Sequence, residues 1–153
     1  IQILQNLKLN DLKYIFFFFM LVSVFVNAQK STVNRLLMIN DYLSEIRTTV
    51  NTKNLKKQQL QKLEILIKEA SAKEKQFRSD LKEVIPTESL DYKTMTDSFH
   101  LILQSVALYR SDISNDESGL SEKRFLNQNI PPLIDKILYH CKRFEENIKF
   151  NTH

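Results

Sequence analysis

Gly119 is the only glycine in 153 residues, and Pro86, Pro131 and Pro132 are the only prolines. Sheets turn on glycine and proline, and phosphate-binding loops need glycine where the backbone approaches the ligand. A chain this poor in both cannot build a Rossmann fold, a P-loop or a hairpin-rich barrel. Cys141 stands alone, which excludes a disulfide framework and a thiolate metal cluster. What is left is a single all-α domain.

The apolar residues say how that domain packs. Steps of three and four run through Leu36, Ile39, Leu43, Ile46 and Val50, and again through Leu60, Leu63, Ile67, Ala70, Phe77, Leu81 and Val84, broken once by Glu74. A third stripe joins Tyr92, Met95, Phe99, Ile102, Val106, Tyr109 and Ile113, and a fourth joins Ile134, Ile137, Cys141, Phe144 and Ile148. This spacing keeps each set on one helical face. Breaks fall at Asn51–Asn54, with Asn54 as an N-cap, at Pro86–Ser89, and along the polar Ser111–Gly119. Pro131-Pro132 should end a short helix over 121–128 and start the last one. Short links make consecutive helices antiparallel, so the expected architecture is an antiparallel up-down-up-down four-helix bundle. Phe77, Phe99, Ile102, Val106, Ile137 and Phe144 are its expected core.

Residues 1–28 read differently. Lys8 and Lys13 precede thirteen apolar or small residues, Tyr14 to Val26, and Val26 and Ala28 occupy the −3 and −1 places of a cleavage site. That describes a cleaved signal peptide. The run is too short for a membrane span, which needs about 20 residues. The domain is then 29–153, exported or periplasmic, with no membrane span after cleavage. Removing the leader leaves 20 basic and 17 acidic residues. Both signs alternate along the chain, including the Lys53–Lys57 cluster, so nothing marks a nucleic-acid partner.

Little in the sequence supports catalysis, and the chain reads as a non-enzyme. Histidine occurs only at 100, 140 and 153. Asp97-x-x-His100 is half of a bundle di-iron motif with no counterpart. No nucleophile sits in a glycine-framed turn. His140 borders the core, one residue before Cys141 on the stripe. Cys141 is a small core residue, or in an exported protein a partner for another chain.

Three stretches resemble a known family. Ile39-Asn40-Asp41-Tyr42-Leu43, the run Tyr92, Lys93, Met95, Phe99, Leu101, Ile102, and Tyr139-His140-Cys141-Lys142 follow in the order of the cytochrome b562 family. The resemblance implies a non-covalent haem b at one end of the bundle, with His140 and a helix-one methionine as axial ligands. An ungapped alignment puts Leu36 in the methionine's place, and Met38 lies two residues on. The implied function is electron transfer with an unknown redox partner protein, the iron potential being set by ligands and burial. The other expectation is a haem-free periplasmic bundle, monomer or weak dimer, in a binding or envelope-stress role.

Overall fold

The computed structural model describes residues 9–53 and 55–151, with side chains at 14, 17, 18, 31–53 and 55–150. Asn54 and the first eight residues of the expected leader lie outside the described residues. Among the described residues there are four helices: α1 (Leu9–Asn51), α2 (Lys56–Val84), α3 (Leu90–Ser114) and α4 (Leu120–Asn151). No strand occurs among the described residues. Each helix packs against its neighbours in chain order, and α4 returns to α1, which closes the up-down-up-down bundle.

The stripes account for the core. Leu36, Ile39, Leu43, Ile46 and Val50 of α1 are fully buried, as are Leu63, Phe77 and Leu81 of α2 and Met95, Phe99 and Ile102 of α3. The rings of Phe77 and Phe99 lie 4.7 Å apart at the centre. Tyr42 fills the α1–α2 seam and donates its hydroxyl to the Leu66 carbonyl at 2.7 Å. Burial, with Glu69 and Glu45 nearby, pushes its ionisation far above the ordinary range. Phe144 departs from expectation, being only partly buried against the core.

Local chemistry fixes the links. Pro86 drives Ile85 into extended geometry, φ −132° and ψ 136°, which ends α2. Ser89 then caps α3, its hydroxyl accepting from the Tyr92 amide at 3.1 Å. The α3–α4 link is shorter than the polar composition suggests: α3 runs on to Ser114, and Ile113 is buried. Gly119 has a left-handed φ of 54°, and a β-carbon there would lie 2.6 Å from the Tyr109 ring. Only glycine fits that close approach.

Pro131 and Pro132 do not start a helix; they lie inside α4. Leu126, Ile130, Leu133, Ile137 and Cys141 form one buried stripe straight through them. An interior proline costs about 3 kcal/mol, whereas each buried leucine or isoleucine contributes about 1.5–3 kcal/mol. Packing therefore overrides local preference.

α1 is about 65 Å long against about 44 Å for α2, at 1.5 Å per residue. Among its described side chains the first buried ones are Thr32 and Val33, while Tyr14, Phe17 and Phe18 are exposed. Among the described residues, no helix is long and apolar enough to cross a membrane.

Candidate functional site

His140 sits on α4 with its side chain 15% exposed, its Nε2 3.6 Å from Asp91 Oδ2 of α3. Lys136 Nζ donates to the other Asp91 oxygen at 3.1 Å. Burial lowers the His140 pKa below its ordinary value; Asp91 opposes that shift, and the charges of Lys136 and Arg143 reinforce it. Met38 lies on the outer side of α1, 56% exposed, and Leu36 points into the core. The structure thus brings His140 to an α3 carboxylate and leaves Met38 facing outward.

His100 bridges α2 and α3. Its Nδ1 lies 3.1 Å from Glu74 Oε1 and its Nε2 2.9 Å from Gln104 Nε2. This is the geometry of an imidazole that donates to a carboxylate and accepts from an amide. Burial alone would raise the Glu74 pKa, but hydrogen bonds from Arg78 and His100 outweigh it and hold it below the ordinary value. Glu74 interrupts the α2 stripe because it is paired there. Cys141 is free and buried, and burial pushes its thiol up to about 11.

Periodicity alone did not reveal a polar cluster between α1 and α2. Arg35 Nε donates to Asp80 Oδ1 at 2.7 Å, while its two terminal nitrogens donate to Ser31 and Thr32. Thr32 in turn donates to Glu83 Oε2 at 2.7 Å. Asp80 is 4% exposed, and its Oδ2 has no hydrogen-bond partner among the described residues. One signal was available: Asp80 lies three residues after Phe77 and next to Leu81, on the buried side of α2. The cluster joins two helices through a desolvated ion pair, and its chemistry is that of a register lock.

Two surface hollows lie away from these clusters. One, of about 440 Å³, lies over Ser44, Arg47, Thr48, Asn51 and Thr52 of α1. The other, of about 290 Å³, lies between α2 and α3 over Glu64, Ile67, Lys68, Ala107 and Arg110. Neither includes His140 or Met38 in its lining. Among the described residues, no group of three or more His, Cys, Asp or Glu is placed to hold a metal ion.

The family model described as Poxvirus A6 protein matches residues 1–129. No curated protein and no solved structure matches the chain. The family match overturns the resemblance to cytochrome b562, whose motifs were short and lay on helical stripes that any bundle repeats. The haem-b, iron and electron-transfer reading falls with it, as do the bacterial periplasmic setting and the envelope-stress alternative. The match runs through α1, α2 and α3 into α4 and takes in well over half of the sequence, and the chain belongs to the Poxvirus A6 protein family.

Proposed function

We propose that the chain is made with a removable leader, residues 1–28, and delivers outward a non-catalytic four-helix bundle, residues 29–153. The observation that carries this reading is the exposure of the apolar run on α1. Tyr14, Phe17 and Phe18 are exposed, and among the described side chains of α1 the first buried one is Thr32, so removing 1–28 takes no described side chain from the core. Phe17 and Phe18 are consecutive, about 100° apart around the helix, and both are exposed, so no bundle face covers either. A leader's apolar run needs no such face, because the export machinery handles it.

The side chains best suited to catalysis are engaged in structure. His100 is held by Glu74 and Gln104, and His140 lies against Asp91. The Cys141 thiol is buried in its protonated, unreactive form. The delivered bundle works stoichiometrically, without turnover.

Expression of the full chain in a secretory host tests this. The expected product is found in the medium with its first residue at Gln29, and Ala28→Arg, which spoils the −1 place, should retain it in the cell. A full-length chain in the medium or in membranes overturns the reading. Residues 29–153 made without the leader should unfold cooperatively; a molten product would show that the first half of α1 belongs to the fold.

A further inference from the structure

We infer that the outer face of α2 is a docking strip for a sulfated polysaccharide chain. The inference rests on the outward delivery proposed above, because that reading places the bundle where such chains are found. Positive and negative residues alternate along the sequence, but the fold separates them. Lys57, Lys68, Lys75 and Lys82 are all exposed and follow one another at steps of eleven, seven and seven. At about 100° per residue, those steps hold the four within about 40° of each other, on the side of α2 opposite the buried Phe77. The strip is about 37 Å long at 1.5 Å per residue.

Its charge is not cancelled by its surroundings. Among the described residues, Lys57, Lys75 and Lys82 form no ion pair. Glu64 is the one carboxylate on the line of the strip, and it is already met by Arg110 of α3 at 3.2 Å and by Lys68 at 3.9 Å. Glu74, at the seam with α3, is held by Arg78 at 2.9 Å. The four lysines with Arg78 and Arg110 set six cations against these two carboxylates, an excess of four. Residues 29–153 carry an excess of only three in all, so the rest of the bundle is on balance acidic. Lys68, Lys75 and Lys82 stand about 10.5 Å apart along the axis, close to the Debye length of about 10 Å at 0.1 M salt. Their mutual repulsion therefore costs the free protein little.

Charge complementarity calls for a polyanion, and the rest of the face selects its kind. A line of anions releases condensed counterions when it is bound, so lysines in a row gain affinity together. A membrane surface would need apolar side chains to enter the headgroup boundary. Among the described residues of α2, the only large apolar side chain left exposed is Ile65, about 80° round the helix from Lys57. A single-stranded nucleic acid would need aromatic platforms for its bases. The strip has none: Gln61, Ser71 and Ser79 fill its remaining positions, and all three are exposed. Such small polar groups suit sulfates and sugar hydroxyls. The hollow of about 290 Å³ between α2 and α3 has Lys68 and Arg110 in its lining, a recess where one sulfate meets both cations.

The experiment expresses the full chain, determines the first residue of the purified product, and measures its affinity for immobilised heparin over a range of salt. The wild type should be retained at about 0.15 M salt and should pass through heparin stripped of its sulfates. The triple variant Lys68→Gln, Lys75→Gln, Lys82→Gln should lose roughly tenfold in affinity and show a flatter salt dependence. Arg124→Gln, Lys142→Gln, Lys149→Gln removes the same charge from exposed positions of α4 and should stay close to the wild type. Equal losses in the two triple variants, or no loss in the first, overturn the strip. Tighter binding to duplex DNA or to phosphatidylserine vesicles than to heparin overturns the choice of a sulfated chain. A product that keeps residues 1–28 yet binds heparin through the strip overturns the leader reading alone. One that begins at Gln29 and fails to bind heparin overturns the strip and leaves the leader reading intact.

Discussion

Arg35 and Asp80 form a lopsided pair: the guanidinium is 36% exposed, and the carboxylate it meets at 2.7 Å is 5% exposed. Water can reach one partner and not the other. Removing the arginine therefore strands a desolvated charge, whereas removing both groups strands nothing. Arg35→Met should cost about 1–3 kcal/mol, the range for a buried acceptor left unpaired, tempered by the solvent already present at Arg35. Adding Asp80→Leu should recover most of that loss. Urea unfolding of the single and double variants measures it, and simple additivity of the two single losses would show that the pair does not lock the helices.

Phe99→Ala should cost about 3–5 kcal/mol, because a fully buried ring leaves a cavity between α1, α2 and α3. Its coupling to Phe77, at 4.7 Å, should reach about 0.5–1.5 kcal/mol in a double-mutant cycle. A loss below about 1 kcal/mol would place Phe99 outside the core.

The proline pair offers a gain. Pro131 and Pro132 lie within α4, so replacing both with alanine returns two amide donors to the helix ladder. The melting temperature should rise, with a stabilisation of about 1–3 kcal/mol per site. A fall would mean that the rings themselves hold α4 in its packed path.

Acid should weaken the bundle in two stages. The folded-state pKa of His140 is lowered, so below the ordinary value of 6.5 the unfolded chain takes up the proton first. Its contribution is complete above pH 6.5 and is lost as pH falls toward the folded value. The Glu74 pKa is also lowered, so its contribution is present above 4.5 and disappears as pH drops through its folded value. In urea midpoints measured from pH 8 to pH 4, His140→Gln should flatten the upper part of the fall and leave the lower part unchanged.

Cys141, with its thiol pushed up to about 11, should resist alkylation at pH 8 in the native protein and react at once in denaturant. Rapid native labelling would show that α4 opens at its Cys141 turn.

The parts of the fold visible in the sequence were those that obey a period. Four stripes and one glycine define four helices, and Leu36 through Val50 lie where the spacing puts them. Two things escaped. The Ser121–Ile137 stretch is one helix because Leu126, Ile130 and Leu133 continue the stripe across the prolines, and local preference outvoted that continuity. Arg35 and Asp80 escaped because a charge pair between helices has no period at all; it exists only once two segments are set side by side. The haem reading failed for a related reason. Short apolar-polar motifs recur in any bundle, and the family match rests on far more of the chain than they do.

α4 covers the open flanks of both α1 and α3. That arrangement imposes a schedule. A chain stopped at Gly119 has three helices, and the sides of α1 and α3 that should meet Leu126, Ile130 and Ile137 are still wet. The core cannot dry until the last thirty or so residues have been made, so the chain stays pliable through its whole synthesis.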